Sequence, residues 1–454
     1  YASPSEFAAD LRRHLNDEPV DAGPPSISYR AGKFARRHTS VMVAGAIVFL
    51  SLVAGTIVAT YGLLRAQEAE VVAVEEARTA KEVSDFLIGL FEVSEPSAVD
   101  VDTIKARDVL DDGVVKVRTE LGGEPVVQSR LMLAMGNVYA QLGLLEEAEE
   151  LLNEALQIRE SLPNASVRSL TEVQTSIAGV RHLAGDHEAA VELYQRAITK
   201  ERANTGENDS LWLATAYRSL GGVFDTLGQS GEAIEAYDEA SKLLQSSGRG
   251  VSTEYARVVR NIGMVHWSLQ EFDKALPFYE ESLAIYDQVL EEGHPEVSYV
   301  INALAILNYN LGDYAAARPM FERELANLER TLGREHRNTA SIMNNLGLLL
   351  LTMELVDEAR PLLVEALEIR EAVLGPDHDE VATSLLNLGR LHLTEGDYAA
   401  AAASFARCLE IREKTLGPEH PYFAGTLGFY AEAERGLGNT DKADALEARA
   451  EALR

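Results

Sequence analysis

GRLHLTEGDYAAAAASF, residues 389–405, contains the spacing that decides the fold of this chain. Gly389 is followed twelve residues later by Ala401 and, four residues after that, by Phe405, with a Gly-Asp turn between. Two helices joined by such a turn approach closely only where their side chains are small, and a large side chain beside them fills the remaining gap. The stretch therefore predicts a hairpin of two helices.

The same spacing recurs in eight units from Gln128 onward, at intervals of 42 residues with one of 43. The small residues of the first helices are Gly136, Ala178, Gly221, Gly263, Ala305, Gly347, Gly389 and Ala431. The alanines of the second helices are Ala148, Ala190, Ala233, Ala275, Ala317, Ala359, Ala401 and Ala443. The larger residues four positions further on are Leu152, Tyr194, Tyr237, Tyr279, Phe321, Leu363 and Phe405. Because one helix pair cannot bury its own apolar face, stacking of the pairs must build the core.

This repeat resembles tetratricopeptide repeats, and the 42-residue period with linkers such as LGPDHDEVA and LGPEHPYFA resembles their kinesin-light-chain type. Units two and three depart from it, since TGENDS and SSGRGVS replace that linker. The resemblance implies an all-α, right-handed α-solenoid of about eight helix pairs. We expect it over residues 128–454, preceded by a leading helix at residues 102–127.

A second feature is the uncharged, apolar stretch Val41–Leu64. As a helix rising about 1.5 Å per residue, it is long enough to cross a hydrocarbon core of about 30 Å. A buried soluble helix would seldom be so long without a polar face, and a signal peptide would have a shorter apolar region nearer the chain start. We expect one transmembrane helix at residues 40–64.

The flanks of that stretch predict its orientation. Arg30, Lys33, Arg36 and Arg37 precede it, whereas only Arg65 follows closely and several glutamates come after it. The positive-inside rule then places residues 1–39 in the cytoplasm and residues 65–454 outside. Residues 65–101 are expected to form a membrane-proximal helix and a linker.

Residues 1–18 predict an amphipathic helix, capped by Ser3 or Ser5, with Phe7, Leu11 and Leu15 on one face. A lone helix of this length is marginal in water, so we expect its partner to precede Tyr1 in a longer protein. Prolines then break the helix, and residues 19–39 form a basic juxtamembrane segment.

This order of pieces resembles bacterial receptor-type serine/threonine protein kinases, in which the last helix of the catalytic domain precedes such a segment. The chain contains no Gly-rich phosphate loop, H-R-D or D-F-G motif, so the resemblance implies that ATP, Mg and the chemistry belong upstream. We therefore expect no catalytic activity and no cofactor in this chain. The alternative is a membrane-tethered assembly scaffold without a kinase.

Charge and composition exclude several other classes. The chain carries a net charge of −31, and the part beyond the apolar stretch is acidic, so nucleic acid and anionic lipid would be repelled. The one cysteine, Cys408, cannot form an internal disulfide and lies on an apolar helix face, which favours a packed thiol over a nucleophile. The linker residues His294, His336, His378 and His420 are a whole repeat apart, which favours capping of, or contact with, the next helix over metal binding.

Candidate binding residues follow from the repeat. In stacked repeats of this kind the first helices line a concave groove, and positions six, three and two before the small residue, and one, four and five after it, should point there. Basic, amide and aromatic side chains gather at these positions: Arg218, Arg257, Arg260, Asn261, Trp267, Tyr299, Asn302, Tyr309, Asn310, Asn344, Asn345, Asn387 and Arg390.

Such groups can bind an extended peptide backbone or a carboxylate. In the resembled repeats an Asn two residues before the small residue commonly contacts bound peptide, and Asn261, Asn345 and Asn387 match that place. The simpler interpretation is ordinary groove polarity with internal salt bridges to glutamates. We expect a protein or peptide ligand; a homodimer is a further open alternative.

Overall fold

The computed structural model describes residues 3–16, 18–22, 26–37, 54–56, 60–61, 106–204 and 210–453. These form two compact units, residues 1–131 and 132–454. Within the described residues every regular element is a helix, and none of these helices combines the length and apolar character that a bilayer crossing needs. All of residues 65–101 lie outside the described residues, and so does the expected membrane helix except for residues 54–56 and 60–61.

The first unit contains α1 (Pro4–Leu15), α2 (Ile27–Arg37) and α3 (Ala106–Glu120). Ser3 caps α1, as expected, by accepting a hydrogen bond from the backbone N–H of Glu6 at 3.3 Å. The apolar residues Phe7, Leu11 and Leu15 are each more than half exposed. In α3, Val117 is fully buried.

Helix α2 was not anticipated from the sequence. It is tied back to α1 because Lys33 Nζ donates to the backbone carbonyl of His14 at 2.9 Å. The carboxylate of Asp10, which is 3% exposed, accepts the backbone N–H groups of Asp21 and Ala22, both at 2.9 Å. These backbone bonds fix the connection after α1.

The second unit is a stack of helix pairs, and residues 125–131 of its first helix, α4, are counted with the first unit. The pairs are α4 (Pro125–Gln141) with α5 (Leu145–Ser161), α6 (Val167–Leu183) with α7 (His187–Ala203), α8 (Ser210–Thr226) with α9 (Ser230–Ser246), α10 (Thr253–Ser268) with α11 (Phe272–Val289), α12 (Pro295–Leu311) with α13 (Tyr314–Thr331), α14 (Arg337–Thr352) with α15 (Val356–Leu374), α16 (Asp379–Glu395) with α17 (Tyr398–Leu416), and α18 (Phe423–Gly436) with α19 (Thr440–Ala452). The predicted all-α solenoid of eight pairs is confirmed over the described residues.

Close approach within each pair occurs at the predicted positions. A Cβ atom added to Gly221 would lie 2.7 Å from Tyr237 Cε1, and one added to Gly389 would lie 2.5 Å from Phe405 Cε1. A Cβ atom on Gly347 would lie 2.7 Å from the Leu363 side chain. The larger residue of the repeat therefore packs against the bare backbone of the glycine.

The turns between paired helices need a left-handed residue. Gly312 and Gly396 supply it with φ of 79° and 77°. At the equivalent turns in α10–α11 and α14–α15, Gln270 and Glu354 adopt φ of 59° and 62°. Non-glycine residues pay a steric cost in this region.

The four linker histidines contact the start of the next helix. The Nδ1 atoms of His294, His336 and His378 each accept a backbone N–H two residues ahead, at 3.2, 3.1 and 3.2 Å, and cap α12, α14 and α16. His420 Nδ1 accepts the N–H of Tyr422 at 3.3 Å. The predicted capping is present at His294, His336 and His378, whereas His420 only contacts the N-cap residue Tyr422 of α18, which has no side-chain cap.

Cys408 is fully buried among apolar residues of α16 and α17. Burial raises the pKa of its thiol to about 11. The side chain therefore packs as a small apolar group, as the sequence indicated.

Candidate ligand-binding groove

The first helices of the pairs form a common face. Helices α6, α8 and α10 contact one another in succession, and so do α14, α16 and α18, whereas each second helix packs mainly on its own pair and on the next first helix. A residue that points away from the second helices therefore lies on this shared face, which we call the groove.

A pocket of about 360 Å³ lies in the groove where α8, α10 and α12 meet. Its lining comprises Asp225, Met264, Trp267, Ser268, Tyr279, Tyr299, Asn302, Ala303 and Ile306. All but Tyr279 occupy one of the six repeat positions that the sequence assigned to the groove. The repeat arithmetic therefore locates the pocket lining, although it does not identify a ligand.

Aromatic side chains shape this pocket. Trp267 packs edge-on against Phe272 and Tyr279, with ring centroids 5.7 and 6.2 Å apart. Tyr299 is 47% exposed, and its hydroxyl lies 3.6 Å from Met264 Sδ. The result is a fixed aromatic wall beside an accessible tyrosine.

Two groove arginines have a partner within the domain. Arg257 Nε donates to Glu296 Oε1 at 2.8 Å, and Arg260 Nη1 donates to Glu296 Oε2. Arg260 also lies over the Tyr299 ring, 5.1 Å from its centroid. For this pair, the internal salt bridge that the sequence left open is present.

Glu296 is held as a carboxylate by these contacts. Burial raises its pKa, but the hydrogen bond from Arg257 and the charges of Arg260 and Arg257 outweigh that effect, so the pKa lies below its usual range. Tyr286 OH donates a further hydrogen bond to Glu296 at 3.2 Å. One carboxylate thus serves two cations.

Arg218 is the third member of this basic group and has no carboxylate partner among the described residues. Burial lowers its pKa, and the charges of Arg257 and Arg260 lower it further. Glu296 pairs with Arg257 and Arg260, and Glu254 also attracts Arg257, so two glutamates and three arginines interact in this cluster. Asp225, which lines the neighbouring pocket, is a further acidic group.

The remaining predicted residues are spread along the groove. Asn387 is 4% exposed and donates to Asn344 Oδ1 at 3.1 Å, so these two amides bond between α16 and α14 rather than face solvent. Tyr309 OH lies 3.2 Å from Thr352 Oγ1, and Arg390 lies over the Phe429 ring at 5.4 Å.

The three asparagines two positions before the small residue are not equivalent. Asn261 accepts a hydrogen bond from Arg260 at 3.3 Å, and Asn345 is partly exposed. Asn387 is enclosed between neighbouring first helices. Asn310 is exposed, four residues beyond the pocket residue Ile306.

Sequence reasoning missed a second cavity, of about 580 Å³, between α12, α13 and α14. Tyr299 and Asn302 line both cavities. Glu324 of α13 also lines this one and is 2% exposed. A signal was present in the sequence, because every other unit has Ala, Ser or Cys at the position of Glu324.

Comparison with known families decides the classification. The family model described as Tetratricopeptide repeat matches residues 127–200, 170–246, 254–330, 301–355 and 338–414. The chain belongs to the tetratricopeptide repeat family. No curated protein matches this tetratricopeptide repeat chain.

Solved structures give the same fold. The apo form of RapI aligns with a TM-score of 0.58 at 13% identity, covering 82% of this chain and 97% of that one. The apo quorum sensor NprR from B. thuringiensis aligns with a TM-score of 0.53 at 12% identity, covering 83% and 99%.

Kinesin-light-chain-like repeats are also among the structural neighbours. The nearly identical TPR-like repeats of a putative kinesin light chain from P. anserina align with a TM-score of 0.38 at 21% identity, covering 45% of this chain and 97% of that one.

Proposed function

We propose that the groove binds a protein or peptide ligand and that the chain is the sensor and scaffold portion of a membrane-anchored serine/threonine protein kinase. Two observations carry the binding proposal: the groove residue Arg218 has no carboxylate partner among the described residues, and the same groove contains an aromatic pocket of about 360 Å³. A carboxylate of the ligand can pair with this cation, while an apolar side chain contacts Trp267 and Met264.

The chemistry favours a ligand with an acidic and an apolar group close together. Arg218 is partly desolvated and is repelled by two neighbouring arginines, so an anion that pairs with it relieves both penalties. The exposed Tyr299 adds contact area at low entropic cost.

A displayed library of random peptides, selected against the full chain, tests the binding site. Peptides enriched on the wild-type chain should bind the double variant Arg218→Gln/Trp267→Ala at least about tenfold more weakly, the effect of losing about 1.4 kcal/mol. Arg196→Gln, an exposed position on second helix α7, is the matched control and should leave binding unchanged. Equal affinity for the double variant would refute the groove assignment.

For the membrane part we propose that residues 40–64 span the bilayer, with residues 1–39 cytoplasmic and the repeats outside. Cys408 is buried, so a cysteine introduced elsewhere reports alone. A membrane-impermeant maleimide should label Glu451→Cys in intact cells and should label Ser26→Cys only after lysis. The opposite labelling pattern would show that the orientation is the reverse of the proposed one. Labelling of both cysteines in intact cells would show that residues 40–64 do not span the membrane.

The kinase assignment places ATP, Mg and all catalytic residues in sequence that precedes Tyr1. Reading the gene upstream of Tyr1 tests it directly, because D-F-G and A-P-E motifs are expected there. An upstream coding sequence without these motifs would instead favour a membrane-tethered assembly scaffold.

A further inference from the structure

The cavity of about 580 Å³ between α12, α13 and α14 has a floor unlike that of any neighbouring unit. Glu324 lies seven residues after the second-helix alanine of its unit. The same position elsewhere is occupied by small buried residues: Ala155, Ala197, Ala240, Ser282, Ala366, Cys408 and Ala450. A single unit of the repeat has thus replaced a packing residue with a carboxyl group.

The carboxyl group of Glu324 is incompletely satisfied. It is 2% exposed, and Oε2 has no hydrogen-bond partner among the described residues. Burial raises the pKa of Glu324, and the nearby side chains of Ser298 and Asn327 lower it by less. A buried acceptor without a donor costs about 1–3 kcal/mol.

A second acceptor lines the same cavity. Asn302 Oδ1 is buried and likewise has no partner in the described part of the chain. Two basic residues of α13 have partners of their own: Arg323 pairs with Asp287 at 2.6 Å, and Arg330 donates to the backbone carbonyl of Glu292 at 3.0 Å. The described lining of the cavity therefore offers acceptors and includes no basic residue, although the charge of Arg323 acts on Glu324 from outside it.

The walls suit an alkyl stem. Leu328, Leu332 and Ile342 contribute apolar surface, and the exposed Tyr299 ring lies at the side shared with the groove pocket. Lysine and arginine bury such stems along apolar surface while their charged ends find acceptors.

We propose that this cavity receives the ammonium or guanidinium group of a lysine or arginine side chain of the peptide that occupies the groove. The donors of that group pair with Glu324 Oε2 and Asn302 Oδ1, and its stem lies against Leu328 and Ile342. The proposal rests on the proposed function, since Tyr299 and Asn302 connect the two cavities. It adds a basic side chain to a ligand that also carries a carboxylate.

Small probes test the cavity independently of any natural ligand. Nα-acetyl-lysine methylamide and Nα-acetyl-arginine methylamide are titrated into the full chain by saturation-transfer NMR, with the uncharged norleucine analogue as comparison. At least one basic probe should bind about tenfold more tightly than the norleucine analogue. Equal binding of all three would overturn the proposal.

Variants assign the effect to Glu324. Glu324→Ala restores the residue type of the other units and Glu324→Gln keeps the shape without the charge; each should weaken the basic probe at least about tenfold. Glu322→Gln, on the exposed face of the same helix, is the matched control. Unchanged probe binding in both Glu324 variants, with thermal unfolding showing intact folds, would overturn the proposal.

Two further comparisons separate the outcomes. Arg218→Gln/Trp267→Ala should weaken the library-selected peptides but not the basic probes, so failure of the groove assignment remains distinguishable from failure of the cavity assignment. Free cadaverine should bind no more tightly than the blocked lysine. If cadaverine binds tenfold more tightly, a free diamine and not a peptide side chain is the occupant, and the proposal is wrong.

Discussion

At the scale of single residues, the contact between a small residue and its large partner decides how closely each helix pair can pack. Phe405 is fully buried and stacks on Phe429 with ring centroids 6.0 Å apart, so it has little room to move away from Gly389. The equivalent partners Tyr237 and Leu363 are equally buried. Overpacking at such a site is therefore costly.

Gly389→Ala should lower the free energy of unfolding by about 1–3 kcal/mol, because the new Cβ overlaps the Phe405 ring. Gly428→Ala in α18 is the control, since no atom lies within 4 Å of its added Cβ. It should stabilise the helix by up to about 1 kcal/mol. Urea unfolding of both variants measures the difference, and equal effects would contradict the packing argument.

Glu296 is the second residue whose contacts allow a prediction. Glu296→Gln should destabilise the chain at neutral pH by about 1–3 kcal/mol, since Arg257 and Arg260 lose their shared carboxylate. The pKa of Glu296 is lowered in the folded state, so its contribution is present above the unfolded-state pKa and is lost as pH falls through the folded pKa. The difference in free energy of unfolding between variant and wild type, measured by urea unfolding, should therefore become smaller at acidic pH. A difference independent of pH would contradict this.

At the scale of elements, the turn between paired helices is stabilised unequally along the chain. Gly228, Gly312 and Gly396 adopt positive φ without strain, whereas Gln270 and Glu354 adopt the same conformation with a Cβ. Two hairpins therefore carry a local cost that the others avoid.

Gln270→Gly should raise the free energy of unfolding by about 1 kcal/mol. The variant removes the cost of about 1–2 kcal/mol of a left-handed non-glycine residue, but the greater flexibility of glycine stabilises the unfolded chain and offsets part of this gain. Gly312→Ala is the reciprocal variant and should destabilise by a similar amount. Thermal unfolding compares the two. A destabilised Gln270→Gly chain would show that its side chain contributes a contact that outweighs the backbone cost.

At the scale of the whole molecule, Glu324 lowers the stability of the fold at a position where we propose that it binds a ligand side chain. Its pKa is raised, so the folded state binds a proton more readily than the unfolded state, and its ionisation destabilises the fold as pH rises above the unfolded value. Seven other units avoid this cost with Ala, Ser or Cys.

Glu324→Gln should therefore be more stable than wild type by an amount that grows from about pH 4 toward neutrality, measured by urea unfolding across that range. The matched variant Glu322→Gln should show no such growth. A Glu324→Gln chain that loses stability at neutral pH would indicate that the carboxylate is satisfied within the fold.

The repeat allowed much of the molecule to be predicted. The spacing of Gly389, Ala401 and Phe405 is enough to specify a helix pair, because only small residues permit close approach. Three of the residues selected by the same arithmetic, Trp267, Tyr299 and Asn302, line the groove pocket, since a stack of equivalent units repeats its surface positions. Helix α2 was missed because Pro24 and Pro25 suggested a break, while the bond from Lys33 to His14 depends on the fold.

The sequence by itself determined the all-α repeat, the position of each pair and the polar groove, because these depend on local spacing and burial. Tertiary structure decided which groove residues are available. It paired Arg257 and Arg260 with Glu296 and enclosed Asn387 against Asn344. In the described part of the chain it left Arg218 without a carboxylate partner and Glu324 Oε2 without a hydrogen-bond donor. Partners of this kind come from helices about one repeat apart, so only the packing of one unit on the next can bring them together.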